Sequence, residues 1–265
     1  MKQRCGHREG RCPRGPRTSG GLAGAATSGP AAALLALLAI VLLTAPAGAA
    51  SQRVTFRTDD GVSLAGTWYE PGGRQAPAVI LVHMLHTSRH DWEPLATRLA
   101  AEGIGALAID LRGHGESGGG IDTSATPDYS TLVRDVTAAR RYLASRSDVQ
   151  QSHVGIAGGS MGANLAALEA GGDPTIASLA LLSPSLDYRG LRIEAAMRKY
   201  GGRPALLVSS DDDPYATRTV HDLKKAGGGI REAIVLSRAG HGTVMLDRDQ
   251  DLTRTLVDWF RRTLL

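Results

Sequence analysis

The sequence is 265 residues long, with 30 Lys and Arg against 26 Asp and Glu, a net charge of +4, and 42% hydrophobic and 21% charged residues. Six of the bases (Lys2, Arg4, Arg8, Arg11, Arg14, Arg17) and only Glu9 of the acids fall within residues 1–50, so the remainder is close to neutral and gives no electrostatic footing for nucleic acid. The composition excludes a disordered or polytopic membrane chain, and 4% aromatics leave little material for base- or sugar-stacking platforms.

In chain order, the basic start leads into the apolar run Ala31 to Leu43, then Pro46 and the small residues Ala47-Gly48-Ala49. This is the order of a secretory signal peptide cleaved near Ala49 or Ala50, which predicts residues 1–50 to be a leader and places the mature chain outside the cytoplasm, secreted or in the cell envelope. The alternative is an uncleaved membrane anchor, disfavoured because a spanning helix needs about 20 apolar residues. Both cysteines, Cys5 and Cys12, lie in the leader, so disulfides, thiolate metal sites and cysteine nucleophiles are excluded from residues 51–265.

From Arg53, two period-2 stretches around Asp60-Gly61 predict an antiparallel hairpin. Unbroken apolar runs at Val79–Val82, Ile104–Ile109, Val154–Ala157 and Leu179–Leu182 predict strands buried on both faces, followed by strands at Ala205–Val208 and Ala233–Leu236. Helical patterns fill the gaps. Thr126-Pro127 reads as an N-cap and first helical residue, with Tyr129, Leu132, Val133, Val136, Tyr142 and Leu143 on one face. Leu252, Leu256, Trp259 and Phe260 form the stripe of a final helix ending in Arg261 and Arg262. This alternation predicts an α/β fold, a mostly parallel sheet of about eight strands with helices on both faces.

G-x-S-x-G occurs twice, around Ser117 and Ser160. Ser160 stands between a strand and a helical pattern that stops at Gly171-Gly172, the context of a nucleophile elbow. Ser117 leads into more glycine and reads as a surface-loop residue. Gly113, Gly115 and Gly118 give a G-x-G-x-x-G, but no helix follows to receive a pyrophosphate, so no dinucleotide is expected. His83, His86 and His90 share no common face and have no carboxylate cluster beside them, so no metal is expected. Downstream of Ser160 the chain supplies an acid and a base, each just past a strand: Asp213, with Asp211, Asp212 and Asp187 as alternatives, and His241.

With these residues in view, the chain resembles the α/β-hydrolase superfamily. The resemblance runs over nearly all of residues 53–265 and rests on LVHMLHTSRHDW (Leu81 to Trp92), AIDLRGHGES (Ala108 to Ser117), GGSMG, SSDDDPYA and GHG (Gly240 to Gly242). It implies one α/β-hydrolase domain over residues 51–265 with little or no cap and a Ser160–His241–Asp213 triad. It also implies an oxyanion hole made by the Met161 amide and an amide after His83. The family usually has His-Gly there, but Met84 follows His83, so that donor is the amide of Leu85 or of Met84. The resemblance implies that His114 is supporting rather than catalytic. Met84, His86, Tyr188 and Tyr215 are candidates for lining the substrate site.

The implied activity is that of an exported serine esterase acting through an acyl-enzyme on a small-molecule ester, without cofactor or metal, and with no membrane contact once the leader is removed. Only Ser183 to Arg203 separates two strands where a cap would be inserted, so an open site suited to short acyl groups is expected. The layout is similar to dienelactone-hydrolase-type members, which usually carry a cysteine where this chain has Ser160. A peptidase with the same triad is the enzymatic alternative, with thioesterase or acyltransferase activity also open. A non-catalytic binding protein on the same scaffold is the alternative from another class. The sequence specifies no oligomeric state.

Overall fold

The computed structural model describes residues 50–120 and 128–265. The expected leader through Ala49, with Cys5 and Cys12, and the Thr126-Pro127 pair lie outside the described residues. β1 (Ser51–Arg57) and β2 (Ser63–Tyr69) form the antiparallel hairpin predicted around Asp60-Gly61. Its connection is a five-residue loop from Thr58 to Val62, in which Thr58 Oγ1 accepts the Val62 N–H at 2.8 Å.

The remaining strands are β3 (Ala76–Val82), β4 (Gly105–Ile109), β5 (Val149–Gly159), β6 (Ile176–Leu182), the two-residue strands β7 (Asp187–Tyr188) and β8 (Leu191–Arg192), β9 (Ala205–Ser210) and β10 (Arg231–Leu236). Eight strands make one sheet in the order β1-β2-β4-β3-β5-β6-β9-β10, while β7 and β8 pair separately. β2 meets β4 antiparallel, and every pairing from β4 to β10 is parallel, as the unbroken apolar runs predict.

Two strands are longer than the apolar runs suggest. β3 begins at Ala76 and includes Pro77, which has no N–H to give a ladder, and its register against β5 shifts between Ala76 and Ala78 so that the pairing skips the proline. β5 begins at Val149, ahead of the apolar run, and its residues from Gln150 to His153 are partly solvated.

The helices are α1 (Glu93–Ala101), α2 (Val133–Ala144), α3 (Met161–Gly172), α4 (Glu194–Tyr200), α5 (Pro214–Ala226), α6 (Met245–Arg248) and α7 (Leu252–Leu264). The pleat divides the sheet's side chains between two cores. Ala78, Ile80, Val82, Leu107, Ile109, Leu179 and Leu181 face α2, α3, α4 and α5. Their neighbours Val79, Leu81, Ala106, Ala108, Ala180 and Leu182 face α1 and α7. Alanines on the second face leave room for Trp92, Trp259 and Phe260, all fully buried, and Trp259 Nε1 donates to Leu179 O at 2.9 Å.

The stripes predicted for α2 and α7 are the faces that pack on the sheet. Among the described residues the cap ahead of α2 is Asp128, whose carboxylate accepts from Ser130 N at 2.9 Å and begins a short 3-10 turn over Tyr129–Leu132. Only the β7–β8 hairpin and α4 stand between β6 and β9, where room for one short helix was expected.

Candidate active site

Ser160 sits between β5 and α3 with φ +50° and ψ −116°, a conformation that costs a non-glycine residue about 1–3 kcal/mol and that the surrounding packing must hold. Two contacts hold it. The Ser160 N–H donates to Leu182 O at 2.8 Å, pinning the turn to the end of β6. A Cβ on Gly158 would collide with the Gly162 carbonyl, and one on Gly162 with the carbonyls of Val82 and His83. The flanking glycines of GGSMG therefore let strand, turn, helix and the end of β3 approach one another. Met161 opens α3 with its N–H in the first turn, where no intrahelical carbonyl is available and negative charge is favoured.

His241 follows β10 and caps the short turn Gly242–Val244. Its Nδ1–H donates to Asp213 Oδ2 at 2.6 Å, which leaves Nε2 as the acceptor of the Ser160 Oγ–H at 2.7 Å. Asp213 is also the N-cap of α5, its Oδ1 accepting from Ala216 N at 3.2 Å. Gly242 takes φ +61°, in the left-handed region that favours glycine, and the Met84 sulfur packs over it. The arrangement gives Ser160 a neighbouring base whose tautomer and orientation are set by a carboxylate. Ser160 is 8% exposed, but the His241 side chain is 52% exposed, so the base end is open to water.

The run Asp211-Asp212-Asp213 divides the work of holding the histidine loop. Asp211 accepts from Arg238 N at 2.6 Å and from Ser237 Oγ at 3.1 Å. Asp212 accepts from Gly240 N at 3.0 Å and from Ser210 Oγ at 2.5 Å, and the Ser210 hydroxyl holds its carboxyl below the ordinary range. Only Asp213 reaches the imidazole. The alternative acid Asp187 is committed to Gly190 N and Arg192 in the β7–β8 hairpin. Arg192 keeps its carboxyl below the usual value.

The other candidates separate. Met84 reaches Gly242 with its side chain, while His86 is exposed at φ +64°. Tyr188 packs edge-on to Tyr129 at 6.1 Å, and Tyr215 is 55% exposed in the first turn of α5. Neither tyrosine hydrogen-bonds to Ser160, His241 or Asp213 among the described residues. His83 is fully buried and His90 exposed, and no group of three or more metal-ligating side chains gathers among the described residues. An open cleft of about 380 Å³ runs beside the histidine loop, lined by Met84, Thr87, Asp91, Thr243, Val244 and Asp247.

Three supports were not legible from the motifs. Ser183, at φ +51°, accepts the Gly242 N–H on its hydroxyl at 3.0 Å; a serine directly after an apolar strand was the available signal. Asn164 on α3 donates to Ser185 O and Leu191 O and accepts from Ser185 N, fixing the short segment where a cap would otherwise be inserted. Ser117, read as a surface-loop residue, donates to Asp110 O at 2.6 Å and accepts from Ala65 N at 2.8 Å, tying its loop to β2. His114 bonds to Arg112 O at 3.0 Å and makes no hydrogen bond to Ser160, His241 or Asp213 among the described residues.

Over residues 73–227, more than half of the chain, the sequence matches the family Hydrolase_4, described as serine aminopeptidase, S33. The chain belongs to this family of α/β hydrolases. It is 34% identical over 225 residues to the uncharacterized protein Rv2307c of Mycobacterium tuberculosis, covering 75% of this chain and 77% of that one. Among solved structures it is similar to a dienelactone hydrolase from Anabaena variabilis, with a TM-score of 0.69, 20% identity, and coverage of 82% and 100% of the two chains. It is also similar to the Pyrococcus furiosus esterase PF2001, with a TM-score of 0.67, 20% identity, and coverage of 82% and 92%. At such identities the two structures speak for the α/β-hydrolase fold. The S33 match speaks for a hydrolase.

Proposed function

We propose that this hydrolase is an exported carboxylesterase that cleaves small or short-chain esters through an acyl-enzyme on Ser160. The observation that carries the reading is the unbroken hydrogen-bond chain from Asp213 through His241 to Ser160, at 2.6 and 2.7 Å. In this mechanism His241 Nε2 takes the Ser160 proton as Oγ attacks the ester carbonyl. Backbone N–H groups after His83 and at Met161 hold the oxyanion. His241 then passes its proton to the departing alcohol, and water, deprotonated by His241, releases the acid and restores Ser160. Asp213 keeps the imidazole in the working tautomer and balances its cation.

The short segment between β6 and β9 and the exposed histidine edge support an open site and small substrates. The export half of the reading comes from the basic, apolar and small-residue order of residues 1–50. The family's aminopeptidase description favours a second reading, cleavage of a peptide bond by the same three residues.

The test is to treat the purified protein and its Ser160→Ala variant with a fluorophosphonate and weigh both intact. One adduct on the wild type and none on the variant is expected, followed by turnover of acetyl or butyryl p-nitrophenyl esters in preference to aminoacyl anilides. A folded wild-type protein that takes no adduct would sink the nucleophile assignment and bring the binding-protein reading forward. Preference for the anilides would replace esterase by peptidase.

A further inference from the structure

We propose that Asp91 and Thr243 are a positioning pair: the Thr243 hydroxyl, held by the Asp91 carboxylate, anchors the far end of the histidine loop and so sets His241 against Ser160. The inference rests on the reading of Ser160 and His241 as nucleophile and base, and goes further by naming what keeps the base in reach.

The sheet order shows why the loop needs a far anchor. From Ser160 outward the strands run β5-β6-β9-β10, so the loop that leaves β10 must cross the ends of β9 and β6 to bring His241 to the end of β5. Its near end is held after β9, where Asp211 and Asp212 accept the Arg238 and Gly240 N–H groups. Its middle is held after β6, where Ser183 accepts the Gly242 N–H. Asp91 follows β3, on the other side of β5, and accepts the Thr243 hydroxyl on Oδ2 at 2.5 Å. A span tied at both ends keeps its centre in place, and His241 lies within this one.

Thr243 can carry the anchor to the nucleophile. It is 4% exposed and stands two residues past His241, in the turn where the Val244 N–H donates to the His241 carbonyl at 3.3 Å. Its Cγ2 and N lie 2.9 and 3.1 Å from where a Cβ on Gly159 would stand, so the threonine packs directly on the residue before Ser160. A β-branched side chain has few χ1 choices, and the rotamer that sends Oγ1 to Asp91 also lays the methyl on Gly159. A hydroxyl-to-carboxylate bond is charge-assisted and about twice as strong as a neutral one, which suits a tie between segments 152 residues apart in the chain. Asp91 is half-buried and lines the open cleft beside Met84 and Val244, so removing its carboxylate opens no hole in the core.

The test separates the hydroxyl from the methyl. Thr243→Val keeps the shape and the methyl and loses the donor; Thr243→Ser keeps the donor and loses the methyl. With p-nitrophenyl acetate, Thr243→Val should lower kcat by about 10²-fold at little change in KM, whereas Thr243→Ser should stay within about tenfold of wild type. Asp91→Ala, which removes the acceptor without touching Gly159, should lower kcat as much as Thr243→Val does. The double variant Asp91→Ala with Thr243→Val should lose no more than either alone, because each removes the same bond. Fluorophosphonate labelling of Ser160 should slow in the same proportion, since it too needs His241 to take the proton. A loss of stability alone would leave both rates of the folded enzyme unaltered.

A Thr243→Val enzyme with wild-type kcat, equal losses in Thr243→Val and Thr243→Ser, or losses that multiply in the double variant would overturn the proposal while Ser160 remained the nucleophile. Should Thr243→Val fail to fold, Asp91→Ala decides alone, and wild-type kcat in it overturns the proposal. Wild-type protein that takes no fluorophosphonate and turns over no ester would overturn both readings.

Discussion

The loop after β9, Asp211 to Asp213, and the loop after β4, Asp110 to Gly118, both hold a neighbouring segment with carboxylates, at opposite depths. In the first, Asp211 and Asp212 are exposed and accept backbone N–H groups of the histidine loop. In the second, Asp110 is fully buried and accepts from Arg89 N at 2.8 Å and Glu116 N at 2.9 Å while pairing with the Arg89 guanidinium. Arg89 also reaches Glu116 and, through Nε at 3.0 Å, Thr67 Oγ1. Water can replace a lost partner in the first loop. In the second, losing Asp110 breaks a buried ion pair and leaves the Arg89 and Glu116 N–H groups without their acceptor, where water does not reach. The exposed loop can therefore be altered with effects confined to rate, whereas the buried loop transmits damage to the whole fold.

The largest expected effect that tests this contrast is Asp213→Asn. It should lower kcat by about 10⁴-fold, because an amide donates where the carboxylate accepted and disturbs the imidazole tautomer, while Tm stays near wild type. Steady-state ester hydrolysis alongside thermal melting checks both halves, and retained activity would remove Asp213 from the mechanism. Next in size, Asp110→Ala should cost about 3–5 kcal/mol of unfolding free energy in denaturant titrations, the penalty for breaking a buried ion pair and leaving two buried N–H groups unsatisfied. A loss under 1 kcal/mol would mean that the buried and exposed loops do not differ as argued.

The third effect is acid sensitivity. His83 is held at about 4 in the folded chain, against about 6.5 when unfolded, so the unfolded chain binds the proton first as pH falls. His83 should therefore subtract stability progressively from about pH 6.5 down to pH 4, reaching about 3 kcal/mol. Denaturant titrations at pH 7.5 and pH 4.5 on wild type and His83→Asn isolate it: the variant should lose less stability on acidification. The smallest effect is expected for Asp212→Asn, which loosens the Gly240 N–H and should reduce kcat by less than about 10²-fold with Tm unchanged. A drop as large as that of Asp213→Asn would mean that the two aspartates share the role assigned to one.

The elements themselves were legible because their signals are local. Apolar runs marked the strand centres, the 3.6-residue stripes marked α2 and α7, and a serine between a strand and a helix marked the elbow. Strand ends were less legible: β3 continues back through Pro77 by a register shift, and β5 begins in partly solvated residues that no apolar run reveals. Asp213 could not be told from Asp211 and Asp212 by position alone, since all three follow the same strand. The choice depends on which carboxylate the start of α5 turns toward the imidazole.

The sequence by itself determined the α/β alternation, the two-sided core and the order serine, acid, histidine, because periodicity, strand length and chain order are properties of the chain. Only the tertiary structure decided which aspartate meets His241, that Ser183 and Asn164 brace the site, and that a buried His83 grips the Met84 carbonyl and the Leu111 N–H. Those decisions join residues that are distant in the chain, such as His83 and Leu111 or Ser160 and His241. A hydrogen bond is made or lost within a few tenths of an ångström, a separation that is set only when the whole sheet has closed.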